Sequence, residues 1–123
     1  MRPESPKLLE DVRQAARFIL DHTADLDFDG YARDEVLHSA VERKFEIIGE
    51  ALNRLARSDA QTSAALPDLP RIVAFRNVLA HGYDVINHAR VWDAVRTSLP
   101  LLHEQVMTLL AQAPPPQGRQ IGT

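Results

Sequence analysis

Leu37-His38-Ser39-Ala40-Val41-Glu42-Arg43-Lys44-Phe45-Glu46-Ile47-Ile48-Gly49-Glu50-Ala51-Leu52-Asn53-Arg54-Leu55 carries apolar residues at Leu37, Ala40, Val41, Ile47, Ile48, Ala51, Leu52 and Leu55. Recurrence at three and four residues is the period of a helix with one buried face. The acidic, turn-like segment Asp25 to Gly30 precedes it, with Asp27 or Asp29 able to cap a helix expected to run to about Arg57. Upstream, Ser5 followed by Pro6 is a start signal, and Leu8, Leu9, Val12, Ala15, Ala16, Ile19 and Leu20 form one stripe. Downstream, the polar stretch Ser58 to Ser63 and the prolines Pro67 and Pro70 separate it from a third helix. That helix carries Leu69, Ile72, Val73, Phe75, Val78 and Leu79 and ends at Gly82. Asn87 then caps a last helix with Val91, Trp92, Val95, Leu99, Leu102, Val106, Leu109 and Leu110. Pro100 must kink or divide it, and Ser98 could cap its second half. No stretch alternates as a strand would, and no repeat occurs. The fold expected is all-α, a bundle of four to five helices over residues 1–113, followed by a frayed tail, residues 114–123.

Composition narrows the function classes. A chain of 123 residues suits one domain with one core. The absence of cysteine removes disulfides, thiolate metal sites and a cysteine nucleophile. A formal charge of −3 argues against a broadly basic nucleic-acid coat, so RNA would have to be met by a local patch. Nothing resembles a secretory start and no apolar run reaches spanning length, so a cytoplasmic protein with no membrane contact is expected.

Chemistry concentrates in Arg76-Asn77-Val78-Leu79-Ala80-His81, followed at once by Gly82 and Tyr83. Asn77 and His81 stand four apart on one helical face. Arg76 lies five before His81, about 140° round, an arc that a long side chain near a helix end can cover. A cation, an amide and an imidazole can thus converge on one anion. The plainer reading makes Arg76 a partner of a carboxylate and His81 a helix-ending residue favoured by the terminal carbonyls. Glu42, Glu46 and Glu50 repeat every four residues. They read first as a solvated edge with Glu50 and Arg54 as an ion pair, and Glu50 is the one candidate for a supporting catalytic role. It follows Gly49, which costs about 1 kcal/mol inside a helix and so implies close packing. His22, His38 and His103 fall on different helices without metal-ligand spacing, and His88 reads as a polar residue in the first turn of the last helix. Neither a metal nor a cofactor is expected. Trp92 belongs on the apolar stripe.

Three separated blocks then agree in order and spacing. They are Ala40-Val41-Glu42-Arg43 with Glu46-Ile47-Ile48-Gly49-Glu50-Ala51, then Arg76 to Tyr83, then Val91-Trp92 with Leu99-Pro100-Leu102. Together they resemble the HepT-like branch of the HEPN domains over roughly residues 7 to 111. The resemblance implies a homodimer-forming HEPN bundle and a metal-independent endoribonuclease with an RX4HXY motif. It implies the toxin of a type VII-like toxin–antitoxin pair whose antitoxin, a minimal nucleotidyltransferase, transfers AMP to the motif tyrosine. Arg76 and His81 would then be catalytic, Asn77 the polar residue beside the arginine, and Tyr83 the modification target. The approach Leu66-Pro67-Asp68-Leu69-Pro70 departs from the family in lacking a tryptophan common there.

Metal-free RNA cleavage can use the neighbouring 2′-hydroxyl as nucleophile. It needs a base, an acid for the departing 5′-oxygen and positive charge on the phosphorane. His81 suits either proton role and Arg76 the charge. One motif offers one histidine, and a two-fold dimer would supply two. RNA, tRNA or mRNA, is the substrate expected. A non-catalytic nucleotide- or substrate-binding subunit of a nucleotidyltransferase is the alternative.

Overall fold

The computed structural model describes residues 1–81 and 87–113, and every described regular element is helical. In chain order these are α1 (Ser5–Thr23), α2 (Phe28–Ala32), α3 (Glu35–Ser58), α4 (Ala60–Ser63), α5 (Leu69–His81), α6 (His88–Asp93), a π-helical turn (Ala94–Ser98) and α7 (Leu99–Gln112). Helix α3 is the spine: it packs on α1 and on α5, while α7 packs on α1. The all-α bundle expected from periodicity is therefore the fold, with four long rods if α6, the π-turn and α7 are taken as one. The tail, residues 114–123, lies outside the described residues.

The apolar stripes do the packing they imply. Leu9, Val12, Ala16 and Ile19 of α1 meet Val41, Ile48, Leu52 and Leu55 of α3, all fully or almost fully buried, and Val95, Leu99, Leu102 and Val106 close the core. Phe45 of α3 and Phe75 of α5 join it as an edge-to-face pair with centroids 5.3 Å apart.

Two local readings are corrected by hydrogen bonding. The helix expected to begin after Gly30 is two helices. Asp27 accepts from Gly30 N–H and caps only the five-residue α2, while Asp34, in an extended conformation, accepts from Leu37 N–H and starts α3. The break lets Tyr31 turn inward, where it is fully buried against α3 and α6. Ser98 makes no side-chain cap. Pro100 has no N–H to continue the ladder, and the chain widens into the π-turn, in which Leu99 N–H reaches Ala94 C=O. Ser5 does mark the start of α1, but its hydroxyl donates to Asp59 instead of capping its own helix.

Asp59 is the polar knot at the end of α3. Its carboxylate accepts from the Arg2 N–H, the Ser5 hydroxyl, and both the N–H and the hydroxyl of Thr62, so it caps α4 and fastens the N-terminus at once. These donors, the Arg2 amide first, hold the buried carboxyl well below the usual carboxylate range, against a smaller opposing effect of burial.

Gly49 sets the distance between α3 and α5. A Cβ there would stand 2.1 Å from Arg76 Cβ and 2.4 Å from its Cγ. These atoms are rooted on the α5 backbone, so relief requires the helices to part.

Two stability measurements check these assignments. Gly49→Ala should gain about 1 kcal/mol of helix propensity. Because the steric cost of overpacking is about 1–3 kcal/mol and the clash is with rooted atoms, chemical denaturation should show a net loss. Asp59→Ala leaves buried donors without an acceptor and should lower stability by about 1–3 kcal/mol at neutral pH. Because the folded-state pKa is depressed, the wild type should keep this contribution above about pH 4 and lose it progressively as pH falls further. The variant's stability should vary less over that acid range.

Candidate active site

Helix α5 begins where the prolines allow it: Pro70 sits in the first turn, where its missing N–H leaves no bond unmade. Leu69 and Ile72 are buried and Val73, Phe75 and Leu79 are partly so, which orients the helix with Arg76 toward α3 and Asn77 toward solvent. His81 is the last residue of α5, five residues beyond Arg76 and about 7.5 Å along the axis by ordinary helix geometry. The side chain of His81, and all of Gly82 and Tyr83, lie outside the described residues.

Arg76 crosses α3 at Gly49 and extends its guanidinium along the next residue, Glu50. One terminal nitrogen donates to Glu50 Oε2 at 2.8 Å, and the other donates to Asn77 Oδ1 at 2.9 Å. Of the five N–H bonds of a guanidinium, two are thus engaged. The remaining three, the buried Nε–H among them, meet no acceptor among the described residues. The planar fork is held from two sides with donors to spare, an arrangement suited to phosphate oxygens.

The expected Glu50–Arg54 ion pair is therefore replaced by one between helices. The evenly solvated glutamate edge is also not found: Glu46 lies 3.8 Å from Arg43, and Glu42 is turned inward between His38 and His88. The sequence spreads the histidines over different helices, yet the fold brings two of them together, with ring centroids 4.2 Å apart. Only the burial of Tyr31 and the placing of α6 create that meeting. Asn87 starts α6, accepting from Ala89 and Arg90 N–H, as its position implies. Trp92 is packed on Tyr31, with Arg96 over its ring at 4.3 Å.

Arg76 opens onto a cleft of about 390 Å³ between α1, α3 and α5. Its charged lining is balanced, with Arg43, Arg54 and Arg76 against Asp11, Glu46 and Glu50. Local cations are thus present on a chain of negative net charge. The cleft can hold an anion at Arg76, and the acids opposite disfavour a continuous polyanion along its whole length.

Residues 12–109 match the family described as "Ribonuclease HepT-like". The chain is 29% identical over 102 residues to a protein named "Putative RNase" in Caldanaerobacter subterraneus subsp. tengcongensis, covering 83% of this chain and 90% of that one. It is 30% identical over 100 residues to a Methanocaldococcus jannaschii protein also named "Putative RNase", covering 80% and 89%. It is 27% identical over 104 residues to "Probable ribonuclease HepT" of Thermococcus cleftensis, covering 83% and 92%. No solved structure matches the chain significantly. With an all-α bundle whose α3 and α5 carry the motif blocks, and a family match over most of its length, the chain belongs to the ribonuclease HepT-like family.

Proposed function

We propose that this chain is a metal-independent endoribonuclease, the toxin of a toxin–antitoxin pair, with Arg76 and His81 as its catalytic groups. The observation that carries the reading is the Arg76 guanidinium, oriented by Glu50 and Asn77 at the α3–α5 crossing and presented to a cleft five residues before a helix-ending histidine. The names of the relatives in this family agree with RNA as substrate.

The reaction is an attack of the ribose 2′-oxygen on the adjacent phosphorus. The P–O5′ bond breaks, the 2′-proton passes to a base, and an acid protonates the departing 5′-oxygen. Arg76 neutralises charge that grows on the equatorial oxygens, an interaction stronger in the transition state than before it. His81 carries a proton in one of the two roles. A second proton carrier comes from a two-fold dimer that sets two motif helices across one RNA backbone, so that one shared cleft receives two histidines and two arginines. Asn77 restrains the guanidinium, and Glu50 supports it from α3.

Control falls on Tyr83, two residues past His81 in the sequence. A minimal nucleotidyltransferase antitoxin transfers AMP from ATP to the phenol oxygen with loss of pyrophosphate. The added phosphodiester carries negative charge and bulk, competes for Arg76 and excludes RNA. The catalytic domain is residues 1–113 and it acts in the cytoplasm, where both RNA and ATP are available. No described helix is long and apolar enough to cross a membrane.

Purified protein incubated with total tRNA or mRNA in EDTA should yield fragments ending in 2′,3′-cyclic phosphate. His81→Ala or Arg76→Ala should each reduce the rate by roughly 10²- to 10⁴-fold with unchanged circular dichroism. Cleavage that survives both substitutions, or that strictly requires a divalent ion, would exclude this mechanism. No cleavage together with saturable nucleotide binding would point to the substrate-holding subunit instead. Co-expression with the cognate nucleotidyltransferase should add AMP mass to the peptide containing Tyr83, and Tyr83→Phe should remain toxic in its presence.

A further inference from the structure

His38 and Glu42 are one turn apart on α3, and His88 is the first residue of α6, fifty residues from His38 in the chain. Glu42 Oε2 lies 3.5 Å from His38 Nδ1 and 3.7 Å from His88 Nδ1, and one such atom from each residue lies within 4.8 Å of the others. All three side chains are largely buried, with 16%, 17% and 27% of His38, Glu42 and His88 exposed. Yet His38 Nδ1, Glu42 Oε2, His88 Nδ1 and the hydroxyl of the fully buried Tyr31 have no hydrogen-bond partner among the described residues. Four orphaned polar atoms in one place destabilise the fold unless something joins them.

The spacing indicates what joins them. The gaps exceed a hydrogen bond between nitrogen and oxygen, about 2.7–3.2 Å. The two carboxylate–imidazole gaps are close to the edges of a tetrahedron about a divalent ion, since metal–nitrogen and metal–oxygen bonds of about 2.0–2.2 Å give edges of roughly 3.3–3.6 Å, and the third pair stays within 4.8 Å. Two imidazoles and one carboxylate, with a fourth position open to water, form a recognised donor set for zinc. Tyr31 stands edge-on to both rings at centroid distances of 6.2 Å. Burial first, and then the charge of Glu42, push its phenol up from the ordinary value.

We propose that His38, Glu42 and His88 form a binding site for a borderline first-row divalent cation, zinc foremost, which fastens the start of α6 to α3. The site is separate from the Arg76 cleft: Glu42 precedes Glu50 by eight residues, about 12 Å along α3. Its role is structural. The ion ties the first turn of α6 to α3, and RNA cleavage proceeds without touching it.

The test uses the full chain, stripped with EDTA, dialysed and titrated with zinc chloride and, separately, cobalt chloride. One ion should bind per chain with micromolar or tighter affinity. Cobalt should develop the visible d–d bands of a tetrahedral site with nitrogen and oxygen donors, and zinc should raise the melting temperature. His38→Ala, His88→Ala and Glu42→Gln should each weaken binding by roughly 100-fold or more and abolish the thermal shift, whereas His22→Ala and Arg76→Ala should bind as the wild type does. Glu42→Gln nearly preserves shape, so it carries the test if a histidine variant fails to fold. Absence of saturable binding, or wild-type affinity retained in the His38, Glu42 and His88 variants, would overturn the proposal. Because binding is read without RNA, its failure leaves the ribonuclease reading intact, and the converse holds.

Discussion

The closeness of α3 and α5 at Gly49 is the constraint from which the site follows. Helices normally keep 8–10 Å between axes because side chains fill the gap. At this crossing one partner has no side chain, and Arg76 Cβ occupies the room that a Cβ on Gly49 would need. The arginine stem is therefore wedged against a backbone, and only its guanidinium remains to be placed. Glu50, the next residue on α3, is then within reach, and the hydrogen bond at 2.8 Å completes the placement.

Magnitudes separate orientation from stability here. Glu50 is about half exposed and Arg76 about one quarter exposed. Ion pairs near water contribute about 0–1 kcal/mol, so the Glu50–Arg76 contact does little to hold the bundle together. Its consequence is directional: a flexible side chain with several rotatable bonds is confined before any anion arrives, and the entropy of that confinement is not charged to binding. The stability comes instead from the shared apolar faces of α1, α3 and α7, with Asp59 closing the end.

Helix α3 shows how one repeating pattern acquires several functions. Glu42, Glu46 and Glu50 recur with the same period, yet each meets a different surrounding. Glu42 is turned to two imidazoles, Glu46 faces Arg43 on its own helix, and Glu50 faces an arginine from α5. Their difference comes from the elements that cross α3 at three heights. One acidic helix edge thus holds an arginine in place at one level and lies between two imidazoles two turns away.

The helical stripes, the Asn87 cap and the close packing implied by Gly49 were readable directly because each depends on residues near one another in the chain. Periodicity and capping are local physics, and so was the run from Arg76 to His81 on a single helix. The exceptions are instructive. Asp34, rather than Asp27 or Asp29, started α3, and Ser98 capped nothing where Pro100 divided the last helix, since both outcomes depended on which backbone groups the packed core left available. Partners across helices were decided by tertiary structure alone. Glu50 chose Arg76 over Arg54, Ser5 chose Asp59 over its own helix, and His38 met His88, because side-chain pairing follows the distances that packing creates, which sequence separation does not encode.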